Sequence, residues 1–93
     1  MAFFVYVLIS ERDGSLYSGQ TRNLRDRVGK HNKGLVKATK GKVPYRLVYF
    51  EQFDTRSEAM WCEWEFKKKW NTERKKRLIQ GFNPERIREV LGL

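Results

Sequence analysis

The sequence predicts an α+β fold in which a small three-stranded antiparallel sheet is flanked by helices. Three short segments are rich in β-branched and aromatic residues, as strands are. Between and after them, polar capping residues introduce segments whose apolar residues recur at the helical period. The 93 residues fit one domain, 1–93, with a core over about 2–80 and a short last helix over 83–90.

A β-hairpin is predicted at the start of the chain. Phe3–Ile9 has the composition of a strand, Asp13-Gly14 is the strongest short turn signal, and Leu16–Gly19 resumes the extended chain. This arrangement predicts two antiparallel strands joined by a tight turn.

The length of that turn decides where two tyrosines lie. A two-residue loop places Tyr6 opposite Thr21 and Tyr17 opposite Ser10, so both tyrosines share one face of the sheet. A three-residue loop moves one of them to the other face. Aromatic side chains on a small sheet ordinarily fill the core, and each tyrosine taken alone fits that interpretation.

The predicted first helix begins after its N-cap, Asn23, and runs to about Asn32. Leu24 and Val28 define its buried stripe. Two polar residues fall on the same stripe, Arg27 and His31. A buried arginine is costly unless an anion meets it, and either a carboxylate of the protein or a bound phosphate satisfies that need.

A basic loop and a third strand follow. The segment 33–42 is bracketed by glycines and suits a phosphate backbone, although it fits a flexible connection equally. Its lysines are Lys33, Lys37, Lys40 and Lys42. Val43–Glu51 has the composition of a strand, and Pro44 is confined to its beginning.

The second predicted helix starts with the capping box Thr55-Arg56-Ser57-Glu58. Its apolar stripe consists of Ala59, Cys62, Phe66 and Trp70. Glu63 lies inside that stripe, where a glutamate is commonly half of a structural ion pair or part of a site. Trp61 and Trp64 project away from the stripe, so that they either pack on the following helix or stack on bases.

The charge is strongly positive and concentrated near the C-terminus. Lys and Arg total 20 against 11 Asp and Glu, which gives a net charge of +9 and a pI near 10. Residues 67–88, with helices predicted at about 71–80 and 83–90, hold nine basic and two acidic residues. This density, which includes Lys67 and Lys68, indicates a surface for nucleic acid, although a charge run is also typical of a solvated face.

Cysteine and histidine usage excludes some classes of protein. With one Cys and one His, no intramolecular disulfide can form, and a zinc site built from these ligands is not expected. The apolar segment Phe3–Ile9 is too short for the core of a signal sequence or for a membrane span. The sequence therefore predicts a cytoplasmic protein without a membrane partner.

Short motifs in a fixed order connect these elements. They are Val5-Tyr6-Val7, Tyr17-Ser18-Gly19, Asn23-Leu24 before Arg27-Val28, His31-Asn32, and Glu63 after Ser57-Glu58-Ala59. Their order and spacing resemble the GIY-YIG nuclease superfamily, most of all its small stand-alone bacterial members. The resemblance extends to about Arg77.

The resemblance implies a metal-dependent endonuclease that hydrolyses phosphodiester bonds in duplex or branched DNA, with a role in repair or recombination; RNA stays open as a substrate. It implies that Glu63 holds a single divalent ion, Mg²⁺ or Mn²⁺, and that Arg27 grips the scissile phosphate. Tyr6 and Tyr17 flank the attacking water in this interpretation, one of them as general base. His31, with an ordinary pKa near 6.5, is a competing base.

The motifs depart from the family pattern in three places. The first motif lacks its glycine, Ser18 replaces isoleucine in the second, and Gln20 stands where some relatives have lysine, so one phosphate contact is expected to be missing. A catalytically silent nucleic-acid-binding module with the same fold is the alternative function. A third possibility is a basic scaffold that docks on acidic partners or ribosomal RNA.

Overall fold

The computed structural model describes residues 2–92. Over this range the strands and helices are β1 (Phe3–Ser10), β2 (Leu16–Thr21), α1 (Leu24–Asn32), β3 (Tyr45–Phe53), α2 (Arg56–Lys68), α3 (Thr72–Gln80) and α4 (Pro84–Leu91). The strands form one antiparallel sheet in the order β2-β1-β3, so that β1 is central and β2 lies at an edge. The predicted α+β fold is confirmed.

The connection between β1 and β2 is longer than predicted. Tyr6 lies opposite Gly19 rather than Thr21, and Tyr17 lies opposite Leu8 rather than Ser10. Neither of the two loop lengths considered from the sequence, two or three residues, is therefore found. Because the pairing moves by two residues, each tyrosine keeps its side of the sheet, and both remain on one face.

Hydrogen bonds inside the turn explain its length. Ser10 Oγ accepts hydrogen bonds from the backbone N–H groups of Arg12 and Asp13, at 3.2 and 3.3 Å. The Asp13 carboxylate in turn accepts from the backbone N–H of Ser15 at 2.9 Å. Gly14 has φ +77°, in the left-handed region that glycine adopts readily. These side-chain contacts stabilise a four-residue loop over a tighter one.

Helices cover both faces of the sheet, because each face is apolar. On the face of Tyr6, the core residues come from the sheet and α1 and are joined by apolar residues of α4: Leu8, Leu24, Val28, Tyr45, Leu47, Phe50, Ile87 and Val90. On the opposite face, β1 and β3 pack against α2 and α3 through Val7, Val48, Tyr49, Phe66, Leu78 and Ile79. The pairing of β1 with β3 shifts by one residue between Val7 and Leu8. Because of this irregularity, the consecutive residues Val48 and Tyr49 both belong to the core cluster on this face.

The helix boundaries follow local capping contacts. The N-cap side chains each accept a hydrogen bond from a backbone N–H in the first turn of their helix; they are Asn23, Thr55, Asn71 and Asn83. Helix α2 ends at Lys68, so Trp70 lies beyond the helix whose stripe it was expected to complete. Its ring instead packs against Phe66 with centroids 5.8 Å apart. None of the helices within residues 2–92 is both long and apolar enough to cross a membrane.

Candidate active site

The hydroxyl of Tyr6 lies at the centre of a buried hydrogen-bond network beneath α1. Tyr6 is 1% exposed, and its Oη is 2.9 Å from Nε2 of His31. Arg27 donates from Nε to the same oxygen over 3.4 Å. The two polar residues on the inner stripe of α1 thus meet a tyrosine of the sheet, and three of the candidate catalytic residues are in direct contact.

The direction of each hydrogen bond follows from the available donors. Arg27 can only donate, so the Tyr6 oxygen accepts a hydrogen bond from it, and the Tyr6 hydroxyl donates its own hydrogen bond to Nε2 of His31. Nδ1 of His31 then carries the imidazole proton and donates to Thr39 Oγ1 at 2.8 Å. The Thr39 hydroxyl donates to the carbonyl of Val36 at 3.4 Å. This directed chain assigns the tautomer of His31.

His31 is a neutral imidazole at neutral pH. Its side chain is completely buried, and burial lowers its pKa to about 4, with the positive charge of Arg27 acting in the same direction. The ordinary pKa near 6.5, which made His31 a competing base in the sequence analysis, is therefore wrong for this environment. A neutral imidazole with Nε2 unprotonated is the form that accepts the Tyr6 proton.

Tyr6 is a protonated phenol at neutral pH. Burial raises its pKa above the ordinary value of 10.0, and electrostatic interactions with Tyr17 and Glu63 add to this rise. The hydrogen bond and the charge of Arg27 oppose it. The hydrogen bond with Tyr6 in turn raises the pKa of Arg27, which stays charged. Tyr6 therefore lies between a permanent cation and a neutral acceptor of its proton.

Tyr17 and Gly19, both on the edge strand β2, complete this part of the site. The ring of Tyr17 packs edge-on against His31, with centroids 5.1 Å apart. Gly19 lies opposite Tyr6, and a β-carbon at Gly19 would be 2.7 Å from the Tyr6 oxygen. Only glycine leaves room for the phenol to cross β2 at this point.

Glu63 approaches the edge strand from α2. Its side chain is 17% exposed, and its Oε1 accepts a hydrogen bond from Gln20 Nε2 at 3.1 Å. Its Oε2 is 2.6 Å from Nζ of Lys67. Gln20, which was expected only to lack a phosphate contact, thus has a positive role in orienting Glu63. The charge of Glu63 reaches Tyr6 electrostatically, since it contributes to the raised pKa of that phenol.

The donor set fits a hard divalent cation that keeps other ligands. Glu63 supplies one carboxylate, and no group of three or more His, Cys, Asp or Glu side chains suited to a metal occurs within residues 2–92. Mg²⁺ is commonly bound by one or two carboxylates, with waters and substrate phosphate oxygens in the remaining positions. Glu63 therefore suits a metal ion that is coordinated by both the protein and a phosphodiester. The described residues do not form a site in which protein side chains alone would supply all the ligands.

The candidate nucleic-acid-binding lysines lie at the surface on two elements. The lysines of the basic loop and the two on α2 are all exposed: Lys33, Lys37, Lys40, Lys42, Lys67 and Lys68. Two of them are already paired, Lys42 with Asp13 at 3.6 Å and Lys67 with Glu63. The basic loop is ordered at its base, where the Asn32 side chain donates to the carbonyl of Tyr45 at 3.0 Å and accepts from its N–H at 2.6 Å.

Thr39 is a residue of the candidate site that was not predicted from the sequence. This residue is fully buried, although its neighbours in the basic loop are exposed lysines and small residues. It reaches His31 from eight residues along the chain, through a loop without periodic pattern. The only sequence signal was a hydroxyl in a loop that follows a histidine, and that signal is too common to identify a site.

The fold and these contacts define a domain of the GIY-YIG nuclease class. Residues 2–78 match the family model described as the GIY-YIG catalytic domain, and the chain belongs to this family. The resemblance seen in the motifs is therefore confirmed. Nucleic acids are the substrates of this class, and its nucleases typically use a divalent metal ion.

Within the family, the chain is similar to small UPF0213 proteins. It is 44% identical to one from Staphylococcus aureus over 78 residues, which cover 83% of this chain and 93% of the relative. A UPF0213 protein from Pediococcus pentosaceus is 47% identical over 68 residues, covering 72% of this chain and 70% of the relative. The solution NMR structure of a UPF0213 protein from Bacillus halodurans matches with TM-score 0.56 and 37% identity, covering 86% of this chain and 84% of that one.

Proposed function

We propose that this protein is a metal-dependent endonuclease that hydrolyses phosphodiester bonds in DNA. The observation that carries the proposal is the position of the Tyr6 hydroxyl between Arg27 and the unprotonated Nε2 of His31. Such an arrangement has little structural purpose in so small a core, where three apolar side chains would pack at lower cost. It suits the removal of a proton from water beside an anion.

Arg27 binds the scissile phosphate in this proposal. Its Nε holds Tyr6, and the terminal amino groups of the same guanidinium suit two phosphate oxygens in a fork that lysine cannot reproduce. Glu63 holds the divalent ion, Mg²⁺ or Mn²⁺, together with oxygens of the substrate. When bound, the ion supplies charge neutralisation at the phosphate as the reaction proceeds.

Tyr6 and His31 move the proton. The attacking water gives a proton to the Tyr6 oxygen as the Tyr6 proton passes to Nε2 of His31, and the hydroxide forms a bond to phosphorus while the bond from phosphorus to the leaving oxygen breaks. The leaving alkoxide takes a proton from solvent water, and His31 afterwards returns its extra proton to solvent through Tyr6. Arg27 lowers the pKa of His31 in the free protein. A phosphate bound to Arg27 offsets this charge, so that His31 becomes a better proton acceptor when substrate is present. Tyr17, packed against His31, positions the ring and lines the water site.

The exposed lysines hold the DNA backbone. The basic loop carries Lys33, Lys37 and Lys40 beside the His31 side of the site, and α2 carries Lys67 and Lys68 beside Glu63. Contacts of this kind position phosphates without reading bases, so we propose that selectivity is weak or directed by DNA structure. Action on DNA during repair or recombination in the cytoplasm is consistent with this chemistry.

Cleavage of labelled single-stranded, duplex and branched DNA with Mg²⁺ or Mn²⁺ tests the proposal. The wild type is compared with Glu63→Gln and Arg27→Ala, and chelator serves as the metal control. Glu58→Gln is the matched control for Glu63→Gln, because it removes an exposed carboxylate from the same helix and a capping box accepts glutamine. We expect metal-dependent nicking that falls about 100-fold or more in both site variants, and not in the control.

The binding module is the second candidate, and the ion pair between Glu63 and Lys67 favours it. An internal cation already satisfies the carboxylate, as it would in a site that has no metal to bind. No cleavage of any substrate, with DNA still bound by the wild type, would contradict the endonuclease and favour the module. If Glu63→Gln lowers binding and stability together, Glu63 is a structural residue.

A further inference from the structure

Two tryptophans on α2 form an exposed stacked pair. Trp61 and Trp64 are 58% and 45% exposed, and their rings stack with centroids 5.3 Å apart and planes inclined by 20°. The ammonium of Lys69 lies 5.7 and 5.6 Å from the two centroids. Among residues 2–92, neither ring belongs to the two core clusters. Two exposed aromatic rings in contact with each other, in so polar a chain, indicate an interaction site.

One member of the pair, Trp64, borders the candidate active site. Trp64 follows Glu63 directly in α2, and Lys67, which contacts the Glu63 carboxylate, is one turn further along the same side as Trp64. Met60, 53% exposed, precedes Glu63 by three residues and Trp64 by four, so it is a neighbour of both on the helix surface. Trp61 is two residues from Glu63 and therefore projects from a different side of α2, so Trp64 is the member of the pair that adjoins the candidate site.

The surroundings of the pair favour a polyanion over a protein partner. After Trp64 a single acid, Glu65, precedes the three consecutive lysines Lys67, Lys68 and Lys69, and the next helix begins a further run of basic residues at Arg74. Lysine is depleted in protein–protein interfaces, and aromatic rings beside basic residues are typical of proteins that bind single-stranded nucleic acid. Every base has a π-face that can stack on tryptophan, but in a duplex both faces are already covered by neighbouring bases.

We propose that Trp61, Trp64 and Lys69 form a stacking platform for an unpaired base of DNA, next to the phosphate held at Arg27 and Glu63. The platform rests on the proposed function and specifies its substrate class, which is DNA with a single-stranded nucleotide beside the cleavage position. Lys69 supplies a cation for the adjoining phosphate, and the rings supply the stacking surface. The preference for structure over sequence then follows from the need for an unpaired base.

Binding measured without divalent metal separates the platform from catalysis. Three labelled DNA probes of equal length are titrated in chelator: oligothymidylate, an abasic strand with the same phosphates, and a blunt duplex. In the double variant Trp61→Ala, Trp64→Ala we expect binding of oligothymidylate to weaken about tenfold or more. Binding of the abasic strand and the duplex should change by less than about twofold, since the phosphate contacts remain. Wild-type tryptophan fluorescence should be quenched by oligothymidylate and not by the abasic strand.

Two further variants keep the test decisive. Leu35→Ala removes a large apolar side chain, 69% exposed, from the basic loop and should not affect the preference for oligothymidylate. Trp61→Leu, Trp64→Leu keeps apolar cover on α2 while removing the flat aromatic faces, and replaces the alanine pair if that variant does not fold. Circular dichroism and thermal unfolding establish that each variant is folded.

The outcomes distinguish the platform from the nuclease. Selective loss of oligothymidylate binding in a protein that cleaves no substrate supports the platform and contradicts the nuclease. Cleavage by a wild type whose tryptophan variant binds all three probes unchanged supports the nuclease and overturns the platform. Equal weakening for the three probes also overturns it. So does a wild-type dimer in sedimentation that the variant loses, because the pair then contacts a second copy of the chain.

Discussion

The Tyr6 hydroxyl occupies the space above Gly19, where an added β-carbon would lie 2.7 Å from the oxygen and 2.9 Å from the ring carbon that carries it. The two residues are direct partners in the antiparallel pairing of β1 and β2. The phenol therefore reaches the edge of the sheet only because its partner has no side chain. The glycine of the second motif is needed for the position of the tyrosine of the first.

Replacing Gly19 with alanine should displace Tyr6 from His31. We expect a loss of about 1–3 kcal/mol in the free energy of unfolding, as for overpacking in a core, with a corresponding loss of any nuclease activity. Gly29→Ala is the matched control, because a β-carbon there meets nothing within 4 Å on a helix where alanine is preferred. Urea unfolding measures both variants. Equal effects at the two positions would show that the contact with Tyr6 is unimportant.

His31 should titrate far below an ordinary histidine. Its burial and the charge of Arg27 lower its pKa to about 4. The chain has a single histidine, so its imidazole signals in an NMR titration are unambiguous. We expect a midpoint near 4 and no change between pH 6 and 8. A midpoint above 6 would contradict the buried, neutral state and the direction of the hydrogen-bond chain.

The same histidine should make the protein less stable in mild acid. Between pH 6.5 and about 4 the unfolded chain binds a proton at His31 that the folded protein does not, so stability is complete above this range and falls as the pH falls through it. We expect a decrease on the order of 3 kcal/mol from this group. Hydrogen bonds from Ser15 lower the pKa of Asp13 to about 2. The folded protein therefore protonates Asp13 only at a pH below the range in which His31 acts. Urea unfolding measured across these pH values should show that the free energy of unfolding of His31→Gln changes less with pH than that of the wild type.

Thr39 should act on Tyr6 through His31. Thr39→Val keeps the shape of the side chain but leaves Nδ1–H of His31 without its acceptor in a fully buried position, at a cost of about 1–3 kcal/mol. Thr39→Ser keeps the hydroxyl and serves as the control. Nitrogen NMR shifts of His31 report the tautomer, and we expect them to change in the valine variant alone. Identical spectra for the two variants would show that Thr39 only fills space.

Lys67 should compete with a divalent ion for Glu63. Removing its ammonium, 2.6 Å from the carboxylate, by Lys67→Met should tighten Mn²⁺ binding about fivefold, since one unfavourable charge disappears. Lys68→Met removes the same charge from the next position on the helix and is the control. Water proton relaxation measures the affinity for Mn²⁺. An equal effect of both substitutions would indicate only a general change in surface charge.

The elements of the fold were predictable wherever their determinants are local. The capping side chains of Asn23 and Thr55 bind backbone groups three residues away, so the starts of α1 and α2 can be read from a few letters. The turn after β1 was not predictable in the same way. Ser10 and Asp13 build it through side-chain hydrogen bonds that compete with the tighter loop favoured by Asp13-Gly14.

The two polar residues on the inner stripe of α1 could be recognised from the sequence. Arg27 and His31 are polar residues at helix positions where the pattern predicts apolar ones. Such a mismatch indicates that the residue is kept for a reason other than packing, such as a functional site. The partners of these groups were not predictable. Thr39 and Gln20 are ordinary polar residues whose roles depend on contacts made only when a loop and a strand are in place.

The Asn32 amide forms the two hydrogen bonds that a neighbouring strand would offer to Tyr45, and so it closes the basic loop at its base. Within that loop Thr39 is completely buried, and the lysines point outward. We therefore expect that residues can be inserted at the tip of this loop, or its charges changed, without disturbing the sheet. Asn32 and Thr39 are the two residues that such a change must keep, because they fix the loop to the sheet and to α1.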